Sequence, residues 1–448
     1  MQHEILSRQS TSGILKWREQ SRGQLLELLQ RLVFVSEIEV VKLLSDVFDA
    51  LFGILVDHTG QDDFGDSVLK ALVTVLGIVH DRRFNLGPLV DQYAENGFDY
   101  PFATPCLIRS YLRLLSNPTD PQSSRELRAT FKVGRHILKF IMSAREKQKI
   151  KEAGIGTSTQ ATFNRDINKI FRALEALMKD PSPILIGSKT LVVQHMHTWL
   201  PELGKSFMED EILQMAISFV DACDQARGRL TLYKLVLILN LSNLKLFTRK
   251  SIRQLLASST TEWLESYWGS TDQVTDQWRE QVRLCCSIVS TQVNVLGSEM
   301  AKHFVKAVQS YRTIQSVGSA PKQNLSILFP ATYPFPTKSI AGGQIFDEAL
   351  IELAALLSQL SNQSFHKYLA ADEPGTVDVL IAALGVNVSI LGGEAFPSSW
   401  LSLHVYHHKS LLRMLEHIFE VISNNFLPLQ TMQTNSTPIY GRLSSSPY

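Results

Sequence analysis

The sequence is poor in cysteine and carries no excess of charge. Its 448 residues include four cysteines, at positions 106, 223, 285 and 286, and no Cys-x-x-Cys pair. This usage argues against a disulfide framework or a zinc site and favours reduced thiols. The 44 basic and 43 acidic residues give a formal net charge of +1. No overall field therefore favours nucleic acid, and no DNA- or RNA-binding motif is present.

Long apolar runs are also missing. The amino terminus, MQHEILSRQSTSG, has no apolar core of signal-peptide length. No run in the chain approaches the roughly 18 apolar residues that span a bilayer. We therefore expect a cytoplasmic protein. No segment alternates between apolar and polar residues for long enough to predict a half-buried β-strand, which leaves helices as the main element.

Amphipathic helical patterning runs through most of the chain, and residues 127–145 (LRATFKVGRHILKFIMSAR) are its clearest example. One row of this stretch holds Leu127, Phe131, Gly134, Leu138 and Ile141. Apolar residues three or four positions apart mark the buried face of an α-helix, so we predict one continuous helix here. Four basic side chains lie off this row and are expected to face solvent: Lys132, Arg135, His136 and Lys139.

Similar helices recur before and after this stretch, separated by proline, glycine or short polar clusters. Helix pairs return at a spacing of roughly 40 residues, as in HEAT and armadillo units. We predict an all-α fold, an elongated armadillo/HEAT-like helical-repeat solenoid. The predicted segments are an N-terminal segment (1–24), an armadillo-like helical-repeat region (25–312), a linker or long loop (313–343), further helical repeats (344–425) and a disordered tail (426–448).

Three helix starts are predicted from capping boxes, in which a serine precedes a glutamate by three positions. These serines are Ser36, Ser123 and Ser206. The serine hydroxyl and the glutamate carboxylate of such a pair satisfy free backbone amides in the first turn. We expect a helix to begin just after each of them.

Residues 184–190 (ILIGSKT) resemble the end of a phosphate-binding loop. Gly187 is followed by serine rather than lysine, however, and the upstream glycine of that loop is missing. The usual cradle of backbone amides cannot form, so we interpret this stretch as a helix start. The GIG sequence at 154–156 has no strand before it and no third glycine, and it predicts no dinucleotide site.

Two histidine pairs are the candidate metal ligands. His404 and His408 are four residues apart and could share a helix face, but the glutamate of a hydrolytic zinc motif is replaced by Val405. His195 and His197 are two residues apart and face different ways on a helix. We interpret the first pair as surface or capping residues, and we assign no catalytic, cofactor-binding or metal-binding residue.

Two further clusters could contact partners. The basic run consists of Arg145, Lys147, Lys149 and Lys151, interrupted by Glu146 and Glu152. It could meet acidic lipid headgroups or an acidic protein, although a solvated helix end is the simpler interpretation. The aromatic cluster consists of Trp263, Tyr267, Trp268 and Trp278. Aromatic residues dominate interface hot spots, but at helical spacing they are more often core.

Residues from about 17 to 425 resemble the DOCK (dedicator of cytokinesis) family, in its helical region ahead of the catalytic exchange domain. The stretches that carry the resemblance are KLLSDVFDALFGILVD (42–57), DSVLKALVTVLGIVHDRRF (66–84), HILKFIMSAR (136–145), LYKLVLILNLSNLKLFTRKSIRQLL (232–256) and FPSSWLSLHVYHHKSLLRMLEHI (396–418). They stand in family order over most of the chain.

The resemblance implies a guanine nucleotide exchange factor for Rac-type GTPases, with this region as noncatalytic scaffold and no cofactor. The family's exchange domain has no counterpart in the sequence, so we do not expect an enzyme. The expected partners are the rest of the exchange factor, an ELMO-type adaptor or a second copy, with membrane contact only through other domains. The alternatives are an independent helical-repeat adaptor with unrelated partners and, third, a metal- or nucleotide-dependent hydrolase.

Overall fold

The computed structural model describes residues 10–79 and 86–296, together with His303, Lys306, Gln309, Ser310 and Thr313. These described residues form helices and connecting turns and contain no β-strand, which confirms the predicted all-α fold class. The α-helices are α1 (Arg22–Arg31), α2 (Glu37–Lys42), α3 (Leu44–Asp57), α4 (Asp62–Val79), α5 (Gly87–Gln92), α6 (Ala103–Ser116), α7 (Pro121–Lys132), α8 (Gly134–Ile155), α9 (Gln160–Lys179), α10 (Ile186–Leu203), α11 (Glu209–Ala222), α12 (Arg229–Ser242), α13 (Lys250–Leu264) and α14 (Asp276–Leu296). The predicted segments 344–425 and 426–448, and nearly all of 313–343, lie outside the described residues.

From α4 to α12, the main packing partners of most helices are second or third neighbours along the chain. α4 packs on α6, α6 on α8, α8 on α10, and α10 on α12, while α9 contacts both α6 and α11. A stack of helix pairs produces this pattern, because every layer buries its apolar face against the next layer. The packing therefore confirms a helical-repeat architecture. It belongs to the first of two compact units, Met1–Leu256; the second unit is Ala257–Tyr448.

The predicted helix starts are correct to different degrees. Ser36 is the N-cap of α2, as predicted. α7 instead begins at Pro121, because the Asp120 carboxylate accepts the backbone N–H groups two and three residues further on, at 3.1 and 2.9 Å. The prediction from Ser123 is therefore wrong: aspartate followed by proline starts this helix before the serine is reached. α11 covers the predicted range Glu209–Ala222, but its N-cap is Met208 rather than Ser206.

The single helix predicted for residues 127–145 is two helices. α7 ends at Lys132 and α8 begins at Gly134, with Val133 between them at φ −108° and ψ 9°. The apolar row passes through the break without losing register, since Phe131 and Leu138 are both buried. Periodicity alone therefore could not reveal the interruption.

Gly134 lies at the break because the indole ring of Trp199 occupies the place of a side chain. A Cβ atom added to Gly134 would lie 2.6 Å from Cε2 and 2.7 Å from Cζ2 of that ring. Trp199 belongs to α10, is 2% exposed, and packs against Phe131 with the ring centroids 6.0 Å apart. The glycine thus allows α10 to approach α8 closely.

The expectation that the basic face of this stretch is solvated is wrong for two of its members. Lys132 is exposed, as predicted, but Lys139 is 5% exposed and His136 is also buried. Arg135 is only half-buried. A charged side chain is rarely buried without a partner, so these positions indicate acidic groups on neighbouring helices.

We expect Gly134→Ala to lower the free energy of unfolding by about 1–3 kcal/mol, because the new methyl group overlaps a buried, inflexible indole ring. Gly77→Ala is the matched control: Gly77 lies inside α4 with no atom within 4 Å of the added Cβ. That change should raise stability by about 0.5–1 kcal/mol through helix propensity. Urea unfolding followed by circular dichroism would compare them, and equal effects would contradict the role given to Trp199.

Candidate functional site

A network of ion pairs joins α8 to three other elements of the first unit. Lys139 Nζ lies 2.9 Å from Asp91 Oδ1 and 2.8 Å from Glu95 Oε1. Arg135 contributes Nη2, 3.1 Å from Asp91 Oδ2, and Nε, 2.9 Å from Glu202 Oε1. Asp91 lies in α5, Glu95 in the π-helical turn Tyr93–Gly97, and Glu202 near the end of α10. We call these five residues the Asp91 network.

Four members of the Asp91 network, Asp91, Glu95, Arg135 and Lys139, are charged at neutral pH. Burial raises the pKa of the Asp91 carboxyl, but the bonds from Lys139 and Arg135 outweigh it and leave this pKa below its ordinary value. The bond from Lys139 also lowers the pKa of Glu95. Burial lowers the pKa of Lys139 itself, yet its two carboxylate partners more than reverse that effect. A carboxylate with a depressed pKa is a poor proton donor or acceptor near pH 7, so the network holds helices together rather than performing acid–base chemistry.

A second charged centre fixes the corner between α8 and α9. Arg145 is 1% exposed and donates to Glu152 Oε1 and Thr159 Oγ1, each at 3.0 Å, and to Gln160 Oε1 at 3.1 Å. Thr159 also donates to Glu152. The hydrogen bond from Arg145 is the largest of the effects that lower the pKa of Glu152, to about 2. This arrangement ties the end of one helix to the start of the next.

A groove of about 350 Å³ lies between α4, α6 and α7. Its floor includes the aliphatic side chains of Leu69 and Val73. Four of its charged lining residues form two pairs: Arg113 lies 2.6 Å from Asp66, and Lys70 lies 2.8 Å from Glu126. Among the described side chains that line it there is no histidine or cysteine. The groove can accept an apolar side chain, but its residues do not form a nucleophile–base pair.

The stretch that resembles a phosphate-binding loop forms the start of α10. A 3₁₀ turn, Pro183–Leu185, precedes α10. In a phosphate-binding loop, a β-strand would stand before the loop. Lys189 Nζ donates to the carbonyl of Asp180, and Thr190 Oγ1 donates to the carbonyl of Ile186 at 2.8 Å. Both side chains that would contact phosphate and magnesium are thus used within the fold.

Of the histidine candidates, the structure describes His195 and His197. His195 and His197 lie on α10, and burial lowers the pKa of His197, so it is neutral at pH 7. Within the described ranges, no three His, Cys, Asp or Glu side chains are grouped so that they could hold a metal ion. His404 and His408 lie outside the described residues, and their interpretation stays a prediction.

The basic run divides into inward and outward members. Arg145 is buried, and Lys149 Nζ lies 3.3 Å from Ser206 Oγ. Lys151 is exposed, with Nζ 5.6 Å from the centre of the Phe102 ring. Lys147 is partly exposed. The four cations therefore do not form one patch, but two of them lie on a common outward face of α8.

The aromatic cluster and the cysteines are mainly core. Trp263 and Trp268 are buried, whereas Tyr267 and Trp278 are partly exposed. All four cysteines are buried free thiols. Burial raises the pKa of Cys223 to about 12, which makes its thiolate scarce at neutral pH. In the described part of the chain, no helix combines the length and the apolar character needed to cross a bilayer.

The packed helices define a helical-repeat protein whose charged clusters stabilise the stack. A family model described as the Dedicator of cytokinesis (DOCK) TPR region matches residues 21–436. The chain belongs to the DOCK family, within this region. Tetratricopeptide (TPR), armadillo and HEAT units are all built from packed helices, so the match agrees with the predicted architecture.

Individual members of the DOCK family are also similar to this chain. The chain is similar to human dedicator of cytokinesis protein 4, with 21% identity over 92% of this chain and 21% of that protein. It is also similar to mouse dedicator of cytokinesis protein 3, with 19% identity over 92% of this chain and 20% of that protein. The chain thus spans about a fifth of the length of these relatives.

We expect Asp91→Asn to lower the free energy of unfolding at pH 7 by about 1–3 kcal/mol, because it removes a charged partner from two cations. A depressed carboxyl pKa stabilises the fold above the unfolded-state pKa, about 3.9 for aspartate, and this stabilisation is lost as the pH falls through the lower folded-state value. The difference between wild type and variant should therefore shrink as the pH is lowered from about 5 towards 2.

Glu27→Gln provides the control for this experiment. Glu27 pairs with Arg31 at 2.6 Å on α1, where both side chains are more than half exposed. Losing this pair should change stability by no more than about 0.5 kcal/mol. Urea unfolding at several pH values measures both variants. A similar small effect for both would mean that the Asp91 network contributes no more than a surface ion pair.

Proposed function

We propose that this chain is a noncatalytic helical-repeat scaffold of a DOCK-family guanine nucleotide exchange factor that acts in Rac-type small GTPase signalling. The observation that carries the proposal is the family match over residues 21–436. The matched region covers about a fifth of the relatives, which fits one module of a larger exchange factor. The scaffold works in the cytoplasm and needs no cofactor.

The physical basis of a scaffold is a stack that keeps its surfaces in fixed relation. The Asp91 network crosses from α5 to α8 and α10, and Trp199 locks α10 against Gly134. Such cross-helix contacts stiffen the first unit, and its outer faces then offer binding area at constant spacing. The partners that we assign to these faces are the remainder of the exchange factor, an ELMO-type adaptor or a second copy of the chain.

The proposal predicts no exchange activity for the chain alone. Micromolar purified chain should leave the rate of nucleotide release from Rac unchanged, because a scaffold does not stabilise the nucleotide-free GTPase. Release of a fluorescent guanine nucleotide measures the rate, and a complete exchange factor of the family is the positive control. Clear acceleration by the chain would show that it is catalytic and would contradict the proposal.

A scaffold that is one module of a longer exchange factor should be found in cells as part of a larger polypeptide. An antibody against the helical region should detect an endogenous band far above the 50.3 kDa of this chain. Depletion of the corresponding transcript is the control for antibody specificity. A single specific band near 50.3 kDa would instead favour an independent helical-repeat adaptor.

A further inference from the structure

The end of α8 carries an exposed face that combines apolar and basic side chains. Lys147, Lys151 and Ile155 follow one another at steps of four, and the exposed Ile150 is three positions after Lys147 and directly before Lys151. Phe102, at the start of α6, joins this group through the ammonium of Lys151. We call these five residues the α8 corner face.

The apolar members of the α8 corner face are unusually exposed. Ile155 is 76% exposed, Ile150 71% and Phe102 52%. Isolated exposed apolar residues are ordinary, but three within one small face indicate a surface that is covered by something else. The scaffold role proposed above does not assign a use to them.

Two of the acidic side chains on α8 near this corner are already paired with cations. Glu152 is held by the buried Arg145, and Glu146 pairs with Lys205 at 3.1 Å. Lys147 and Lys151 form no ion pair with a described acidic side chain. No acidic residue occurs between positions 153 and 165. A ligand with dense negative charge therefore fits this face.

The corner projects into solvent. Every residue from 153 to 159 is exposed, and α8 ends where Gly156 adopts φ 75° in the left-handed region. Ile155 therefore occupies the last helical position, at the projecting end. A projecting apolar tip can enter a deformable interface directly, whereas a protein partner would need a matching cavity.

We propose that the α8 corner face binds the surface of an anionic lipid bilayer. The side chains of Ile150, Ile155 and Phe102 enter the boundary between headgroups and acyl chains, while Lys147 and Lys151 contact lipid phosphates and carboxylates. The proposal goes beyond the scaffold function and differs from the expectation that membrane contact occurs only through other domains. It gives this module a weak membrane contact of its own, because one small face supplies limited area.

The test is flotation of the full chain with vesicles of phosphatidylcholine alone or of phosphatidylcholine mixed with phosphatidylserine. The wild-type chain should float with the anionic vesicles and not with the neutral ones, and added salt should weaken binding. Replacing both lysines, as Lys147→Gln with Lys151→Gln, should lower the partition coefficient about thirtyfold. The double change Ile150→Ser with Ile155→Ser should lower it about tenfold, because less apolar surface enters the bilayer.

Matched controls separate this face from general effects. Ile184→Ser with Ile186→Ser removes two exposed isoleucines elsewhere, and Lys42→Gln with Lys179→Gln removes two exposed lysines elsewhere. Both controls should bind vesicles as the wild type does. Circular dichroism should show native helix content in every variant, since all the changed side chains are wholly or partly exposed.

Two results would overturn the proposal. If the wild-type chain stays with the unbound fraction at every anionic lipid concentration reached, the face does not bind membranes, and an acidic protein becomes the ligand that its chemistry fits. If the control variants lose binding as much as the corner variants do, the contact is nonspecific attraction of the whole chain.

Discussion

The buried ammonium of Lys139 is the interaction on which the centre of the first unit depends. A cation that is 5% exposed requires negative partners. Asp91 in α5 and Glu95 in the following turn provide them. Arg135 then extends the same carboxylate cluster to Glu202 in α10. Because hydrogen bonds and ion pairs have definite directions, they fix the relative positions of these helices more narrowly than apolar packing does.

The sequence predicted the helices better than it predicted their contacts. Helical periodicity depends on residues three or four positions apart, so the all-α class and most helix positions could be inferred locally. The Asp91 network joins residues 44 and 67 positions apart, and no local pattern pairs Arg135 with Asp91 or Glu202. The buried Lys139 could not be distinguished from a solvated lysine until its neighbours were placed. Its position beside an apolar row was the one available signal.

The helix break at Val133 also depends on a contact that is distant in the sequence. The row that contains Phe131 and Leu138 keeps its spacing through the break, and the sequence pattern therefore indicated that Gly134 lies inside one continuous helix. Glycine is needed at this position because the indole ring of Trp199, 65 positions further along the chain, packs against it. A glycine inside a strong helical pattern is therefore better interpreted as a possible close approach of another element than as a simple loss of helix propensity.

The outward-facing groups that remain after these internal pairings decide where a scaffold can bind. In the groove between α4, α6 and α7, Arg113 and Lys70 already have carboxylate partners, so a ligand that binds to either of them must compete with an existing ion pair. At the end of α8, Arg145 neutralises Glu152, and Lys147 is left without an acidic partner among the described residues. A ligand there gains electrostatic attraction without breaking a contact. The same internal ion pair that closes the α8–α9 corner thus also sets the positive charge of its surface.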